Sequence, residues 1–246
     1  MKSLTRAEAF TVGLLGLFAV LWLLLPHIVQ PESYHHFADQ RAALGIPHAA
    51  DVLSNLPMGL SGLLGLYQLR RGLPELSGLT QTSLALFFAG LVLTCFGSAF
   101  YHWNPSDSSL VWDRLPMTII FAGVLGALAT QRISPRMGKT LLALGLLLGM
   151  GSIWLWRWNG DLALYAIVQF GGFAGVVLTL LLTRTVHDPL PWWQLILWYG
   201  LAKLFEAWDM QIWHLTDGFL AGHTLKHLAA GAAGLAMLRP LRTRHS

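Results

Sequence analysis

A single cysteine, Cys95, is too few for a disulfide within the chain or for a cysteine-rich metal site. Charge is scarce as well: Asp, Glu, Lys and Arg together make up 11% of the residues, far below the roughly 25% of a typical soluble domain. There is no glycine-rich nucleotide fingerprint, no internal repeat, and no basic cluster interleaved with aromatics of the kind that reads nucleic acid. No stretch reads as a separate soluble domain.

What the chain has instead is apolar length. Hydrophobic residues account for 54% of it, gathered into runs near the ~20 residues that span a bilayer. The runs predict helices over Ala9–Leu25, Asp51–Leu69, Gln81–His102, Asp113–Gln131, Lys139–Trp156, Asp161–Thr183, Trp192–Glu206 (extending toward Trp213) and Phe219–Leu238. The expected fold is all-α, a polytopic transmembrane bundle in one membrane domain. The first run follows Lys2 and Arg6 and shares that start with a secretory signal, but Pro26-His27-Ile28-Val29 offers no small-residue cleavage site, so residues 1–25 are expected to remain as a helix. Residues 26–50 carry Glu32, His35, His36, Asp39, Arg41 and His48 and read as a polar loop or surface helix.

Alternating the connections across a membrane sorts the basic residues. Lys2, Arg6, Arg70, Arg71, Arg132, Arg136, Lys139, Arg184, Arg239, Arg242 and Arg244 fall on one side, against Arg41, Arg114 and Arg157 on the other. The positive-inside rule then puts both termini, including the basic tail 239–246, in the cytoplasm, so the net charge of +4 needs no nucleic acid partner. Compactness suggests a bacterial inner membrane. The tryptophans near the helix ends, Trp103, Trp112, Trp154, Trp156, Trp158, Trp208 and Trp213 at the outer side and Trp192 and Trp193 at the other, read as interfacial rings.

The same threading gathers chemistry at the non-cytoplasmic end. His223 and His227, four apart on a helix, share one face with metal-ligand spacing. Ser98 and His102 repeat that spacing near the outer end of the third run, and Asp113 opens the fourth in Asp113-Arg114-Leu115-Pro116-Met117. Three neutral imidazoles with one open position suit a catalytic zinc, which brings the pKa of bound water toward about 7. A carboxylate can take that water's proton, and a serine hydroxyl can hydrogen-bond the water or an oxyanion. The competing readings are structural: imidazoles tying helices together, Asp113 as a helix cap, and Ser98 as a small packing residue. Lys203, Glu206 and Asp209 lie on one helical face, either as a buried charge pair or, through Glu206 and Asp209, as support behind the ligand imidazoles.

In order, Ser98-x-x-x-His102, Asp113-Arg114-Leu115-Pro116-Met117 and His223-x-x-x-His227 resemble the motifs of the alkaline ceramidase family. That family belongs to a wider group of seven-helix membrane hydrolases that includes the adiponectin and progestin receptors. Asp51-Val52-Leu53-Ser54-Asn55-Leu56-Pro57 is similar to the Ser-Asn segment opening that family's first core helix. The resemblance runs over residues 51–238. It implies a seven-helix core with one additional N-terminal helix, zinc held by His102, His223 and His227, Asp113 and Ser98 attending the zinc water, and hydrolysis of the amide of a ceramide-like N-acyl lipid drawn from the membrane. The alternative is a zinc-containing membrane receptor or signalling protein without turnover. The family's calcium site lies in an acidic segment before its first core helix. The histidine-rich pattern here departs from it and leaves calcium in doubt; a second cation there would fall to Glu32, Asp39 and Asp51, against a solvated loop with helix caps.

Overall fold

The computed structural model describes residues 3–72, 75–183 and 190–242, with side chains given as far as residue 238. Lys2, Arg184 and Arg244 of the basic set, the side chains of Arg239 and Arg242, and residues 243–246 of the tail lie outside the described residues. Among the described residues the chain is all-α. The elements are α1 (Arg6–Leu24), a 3-10 turn (Glu32–His35), α2 (Ala49–Leu53), α3 (Leu56–Arg70), α4 (Gly78–Trp103), α5 (Asp107–Arg132), α6 (Pro135–Asn159), α7 (Ala163–Ala166) continuing through a π turn (Ile167–Gly171) into α8 (Gly172–Leu182), α9 (Trp192–Ala207), α10 (Asp209–Leu215) and α11 (Gly222–Arg242).

Among the described residues, five helical stretches are long and apolar enough to cross a membrane: Arg6–Leu24, Gly78–Trp103, Asp107–Arg132, Pro135–Asn159 and Ala163–Leu182. Their outward apolar faces give the chain membrane-protein character, as on α1, where Leu23 and Leu24 are each 75% exposed. α3 and α9, at 15 and 16 residues, are shorter than the ~20 of a straight span.

Local chemistry moves three of the expected boundaries. The helix expected over Asp51–Leu69 is broken at Ser54-Asn55. Pro57 has no N–H to give to Leu53, Ser54 Oγ donates to the Asp51 carbonyl (3.1 Å), and Asn55 Nδ2 donates to the same carbonyl (2.8 Å). The helix expected to open at Asp113 begins earlier, at Asp107, where Ser106 Oγ accepts the Ser109 N–H (3.2 Å). The seventh run breaks after Ala207 and resumes as α10. Two tryptophans expected at interfaces are core residues: Trp156 and Trp192 are buried, whereas Trp103, Trp112, Trp154, Trp158, Trp193 and Trp208 are exposed.

The residues fall into two compact units, the first comprising Met1–Gln30, Pro74–Phe87 and Thr118–His187, the second Pro31–Leu73, Phe88–Met117 and Asp188–Ser246. In the first, Glu8 of α1 is buried where it accepts hydrogen bonds from Ser134 (2.7 Å) and Arg136 (2.9 Å), fixing the start of α1 beside the start of α6. Asp161 Oδ1 accepts the N–H groups of Ile28 (3.0 Å) and Ala163 (2.9 Å); burial raises its carboxyl pKa, and the two donors more than reverse this, leaving it below the ordinary range. In the second unit α11 packs along α9 and α3. All the expected metal ligands fall in this second unit.

Candidate metal centre

Helical periodicity brings His223 and His227 onto the buried face of α11, and His102 on α4 meets them. The three rings form a near-equilateral triangle: centroids are 4.8 Å apart for His102–His223, 4.9 Å for His102–His227 and 4.9 Å for His223–His227. One ring nitrogen from each lies within 4.8 Å of the other two, and all three residues are buried. Among the described residues, this is the only group of three or more His, Cys, Asp or Glu side chains so arranged.

His102 adds a second observation to the triangle. It is wholly buried, yet neither Nδ1 nor Nε2 has a hydrogen-bond partner. An imidazole removed from water with both nitrogens unsatisfied is costly, and a metal ion satisfies one of them directly. Three neutral imidazoles fit a borderline-soft divalent ion. The buried triad can therefore hold a metal ion.

The ligand rings are oriented from behind. Ser54 donates its one hydroxyl hydrogen to the Asp51 carbonyl (3.1 Å), so toward His227 Nδ1 (2.9 Å) it acts as acceptor. That bond puts the proton on Nδ1 and leaves Nε2 with its lone pair facing the centre, where Ser98 Oγ stands 3.4 Å away. Asp51 Oδ1 accepts from Thr224 Oγ1 (2.8 Å), securing α2 to the turn between the two α11 ligands.

A helix irregularity lets Asp113 meet Ser98, which in turn reaches His227. Pro116 cannot donate to the carbonyl of Trp112, and Gly97 packs so closely against this freed carbonyl that a Cβ there would collide with it. The absence of a side chain at Gly97 thus lets α4 and α5 approach beside Ser98 and Asp113. Asp113 is buried almost two turns inside α5, with the Ser98 hydroxyl as a side-chain partner. The helix-cap reading of Asp113 is therefore set aside.

The carboxylates expected behind the ligands take different routes. Asp209 binds no ring nitrogen; its Oδ1 accepts the His223 N–H (2.7 Å) and its Oδ2 the Ala38 N–H (2.9 Å). Glu206 acts through lysines: Lys203 Nζ lies at 2.6 Å from Oε2 and Lys226 Nζ at 2.7 Å from Oε1, while Lys226 Nζ is also 3.1 Å from His223 Nε2. A neutral ring offers one in-plane lone pair, so this ammonium and a metal compete for His223, and Glu206 retains Lys226 when the lone pair is taken. Ser54, Lys226 and Phe37 are the parts that spacing alone did not single out.

Glu32, Asp39 and Asp51 do not form the expected oxygen cluster. Both Asp39 oxygens face Arg41, with Nε at 2.8 Å and Nη2 at 2.6 Å, and Asp51 is engaged by Thr224. Burial raises the Asp39 pKa, and the bonds and charge of Arg41 outweigh it, so the carboxyl titrates below its ordinary range. Asp39 is thus the anion of an ion pair, and the second-cation site is not assembled.

The class that this geometry defines is an all-α protein of membrane character with a buried three-histidine centre. No known family and no curated protein matches the chain, so the likeness to alkaline ceramidases rests on the motif residues themselves.

Proposed function

We propose that this protein is an intramembrane zinc-dependent amide hydrolase acting on a ceramide-like N-acyl lipid. The observation that carries the reading is the buried triad with His102 unpartnered at both nitrogens, beside the Ser98 hydroxyl, which reaches His227, and the buried Asp113 carboxylate that Ser98 partners. His102, His223 and His227 hold the metal. Bound zinc supplies Lewis acidity and brings a water's pKa toward about 7, making a nucleophile available near neutral pH.

The chain's own groups do the rest. Asp113, as a carboxylate, removes a proton from the attacking water and then delivers it to the amide nitrogen, so that the amine leaves neutral. Ser98 Oγ–H donates toward the carbonyl oxygen as negative charge develops there. Ser98 is the less suitable nucleophile, because the imidazole beside it, His227, spends its free nitrogen on the metal. Ser54 and Asp209 keep the two α11 ligands in place.

The threading that accompanies this reading has eight membrane segments, seven of them a core over residues 51–238, with both termini in the cytoplasm of a bacterial inner membrane and the centre toward the opposite side. Its support is the asymmetry of Lys and Arg among the connections.

The test is Asp113→Asn in purified protein, with zinc measured by mass spectrometry and fatty acid release from N-acyl lipids. The expected result is about one zinc per chain as in the parent, and hydrolysis lowered by ~100-fold or more. A variant that hydrolyses at the parent rate overturns the role of Asp113; a parent that binds zinc yet releases no fatty acid from any acyl-amide lipid favours the receptor reading.

A further inference from the structure

The connection before α2 does more than join helices. Residues 31–48 lie at the end of the second unit where α4 terminates and α5 and α11 begin, and Phe37 from this connection sits on the triad. Its ring centroid is 4.5 Å from that of His102 and 4.6 Å from that of His223, and its side chain is buried. On its other edges it packs on Tyr101 (5.7 Å) and His48 (5.9 Å). An apolar ring against two ligand imidazoles offers a metal nothing, but it does exclude water.

The segment is tied down on every side of Phe37. Before it, His35 is hydrogen-bonded to the Tyr101 hydroxyl (2.9 Å) and to Asp107 (3.2 Å), joining it to α4 and α5. Immediately after it, the Ala38 N–H is held by Asp209, whose other oxygen holds His223. Two residues further on, Asp39 fixes Arg41, which donates to the Phe219 carbonyl (3.2 Å) ahead of α11 and stacks over Trp213 (4.7 Å). Arg41 is exposed, whereas Phe37, four residues before it, is buried against His102 and His223. The helix carrying His102 meanwhile turns Phe96 and Phe100 outward, 71% and 55% exposed, an apolar flank of lipid-facing chemistry.

We propose that Phe37 is a specificity-determining cap that closes the histidine centre against the aqueous phase, so that substrates with a long, membrane-embedded acyl chain reach it from the lipid and water-soluble acyl amides do not. This inference rests on the hydrolase reading for its substrate, but the cap itself is a statement about access.

The experiment uses the full chain in nanodiscs as parent, Phe37→Ala and Phe37→Trp. Reaction with diethyl pyrocarbonate after removal of metal, followed by peptide mass spectrometry, reads access to His102 and His223 without requiring activity. Relative hydrolysis of a water-soluble short-chain and a long-chain N-acyl amide reads specificity. Phe37→Ala is expected to raise labelling of both histidines and the short-to-long preference by about tenfold, with Phe37→Trp returning both toward the parent. Equal labelling in the parent and Phe37→Ala overturns the cap, as does Phe37→Trp labelling as fast as Phe37→Ala. If labelling changes as expected but no variant hydrolyses either amide, the cap stands and the hydrolase reading fails.

Discussion

Asp209 grips His223 and Ala38 at once, one carboxylate oxygen on the N–H of each, so a proposed metal ligand and the segment that covers it share a single support. Asp209→Ala removes both bonds. The expected outcome is a 10- to 100-fold loss of zinc affinity, the usual range for groups that orient a ligand, together with faster hydrogen exchange at Ala38. Competition with a zinc indicator and exchange mass spectrometry measure the two effects, and they should change together.

His102 makes a more discriminating prediction. Both ring nitrogens are buried and unpartnered, so the residue costs stability until a metal binds it. His102→Leu is expected to leave metal-free protein as stable as the parent or more so, by up to about 1–3 kcal/mol, and to abolish the rise in melting temperature that the proposed zinc site predicts for the parent. Thermal unfolding in detergent with and without zinc checks both halves. A simple packing histidine would lose stability in both conditions.

Gly97 carries the close approach of α4 and α5. Gly97→Ala places a methyl group against the Trp112 carbonyl and must part the helices beside Ser98 and Asp113. Destabilisation of about 1–3 kcal/mol is expected, with hydrolysis reduced further than zinc content because the proposed catalytic pair is displaced before the proposed ligands are. Denaturant titration and metal analysis of the same sample read the two consequences.

The Asp39–Arg41 pair predicts a pH dependence with a definite sign. Because the folded-state pKa of Asp39 lies below the ordinary carboxylate value, its contribution to holding residues 31–48 is complete above about pH 5 and disappears as pH falls through the lowered value. Asp39→Asn should loosen the Phe37–Arg41 backbone at pH 7, seen as faster hydrogen exchange. The difference from the parent should vanish at strongly acid pH, where both carry a neutral group.

Helical spacing made the histidines legible. His223 and His227 had to share a face of α11, and His102 shared a depth with them once the helices were threaded. The interior position of Asp113 was hidden by the polar stretch Asn104–Ser109, which reads as loop until Ser106 is seen capping the helix that opens at Asp107. The break between α2 and α3 was hidden because apolar residues flank Ser54-Asn55 on both sides. Ser54, Lys226 and Phe37 carry no local signal of their roles: each acquires one only from contacts with residues distant in sequence. Segment 31–48 has no periodicity, so the fold places it through carboxylate and arginine contacts that no pattern announces.

Release of fatty acid from a panel of N-acyl lipids by the purified chain, before chelation, after chelation and after zinc is restored, tests metal, reaction and substrate together. The expected result is about one zinc per chain, hydrolysis of at least one long-chain acyl amide, its loss with the metal and its return with zinc alone. Folded protein that binds no zinc, or hydrolysis that persists undiminished after the metal is removed, overturns the zinc-hydrolase reading.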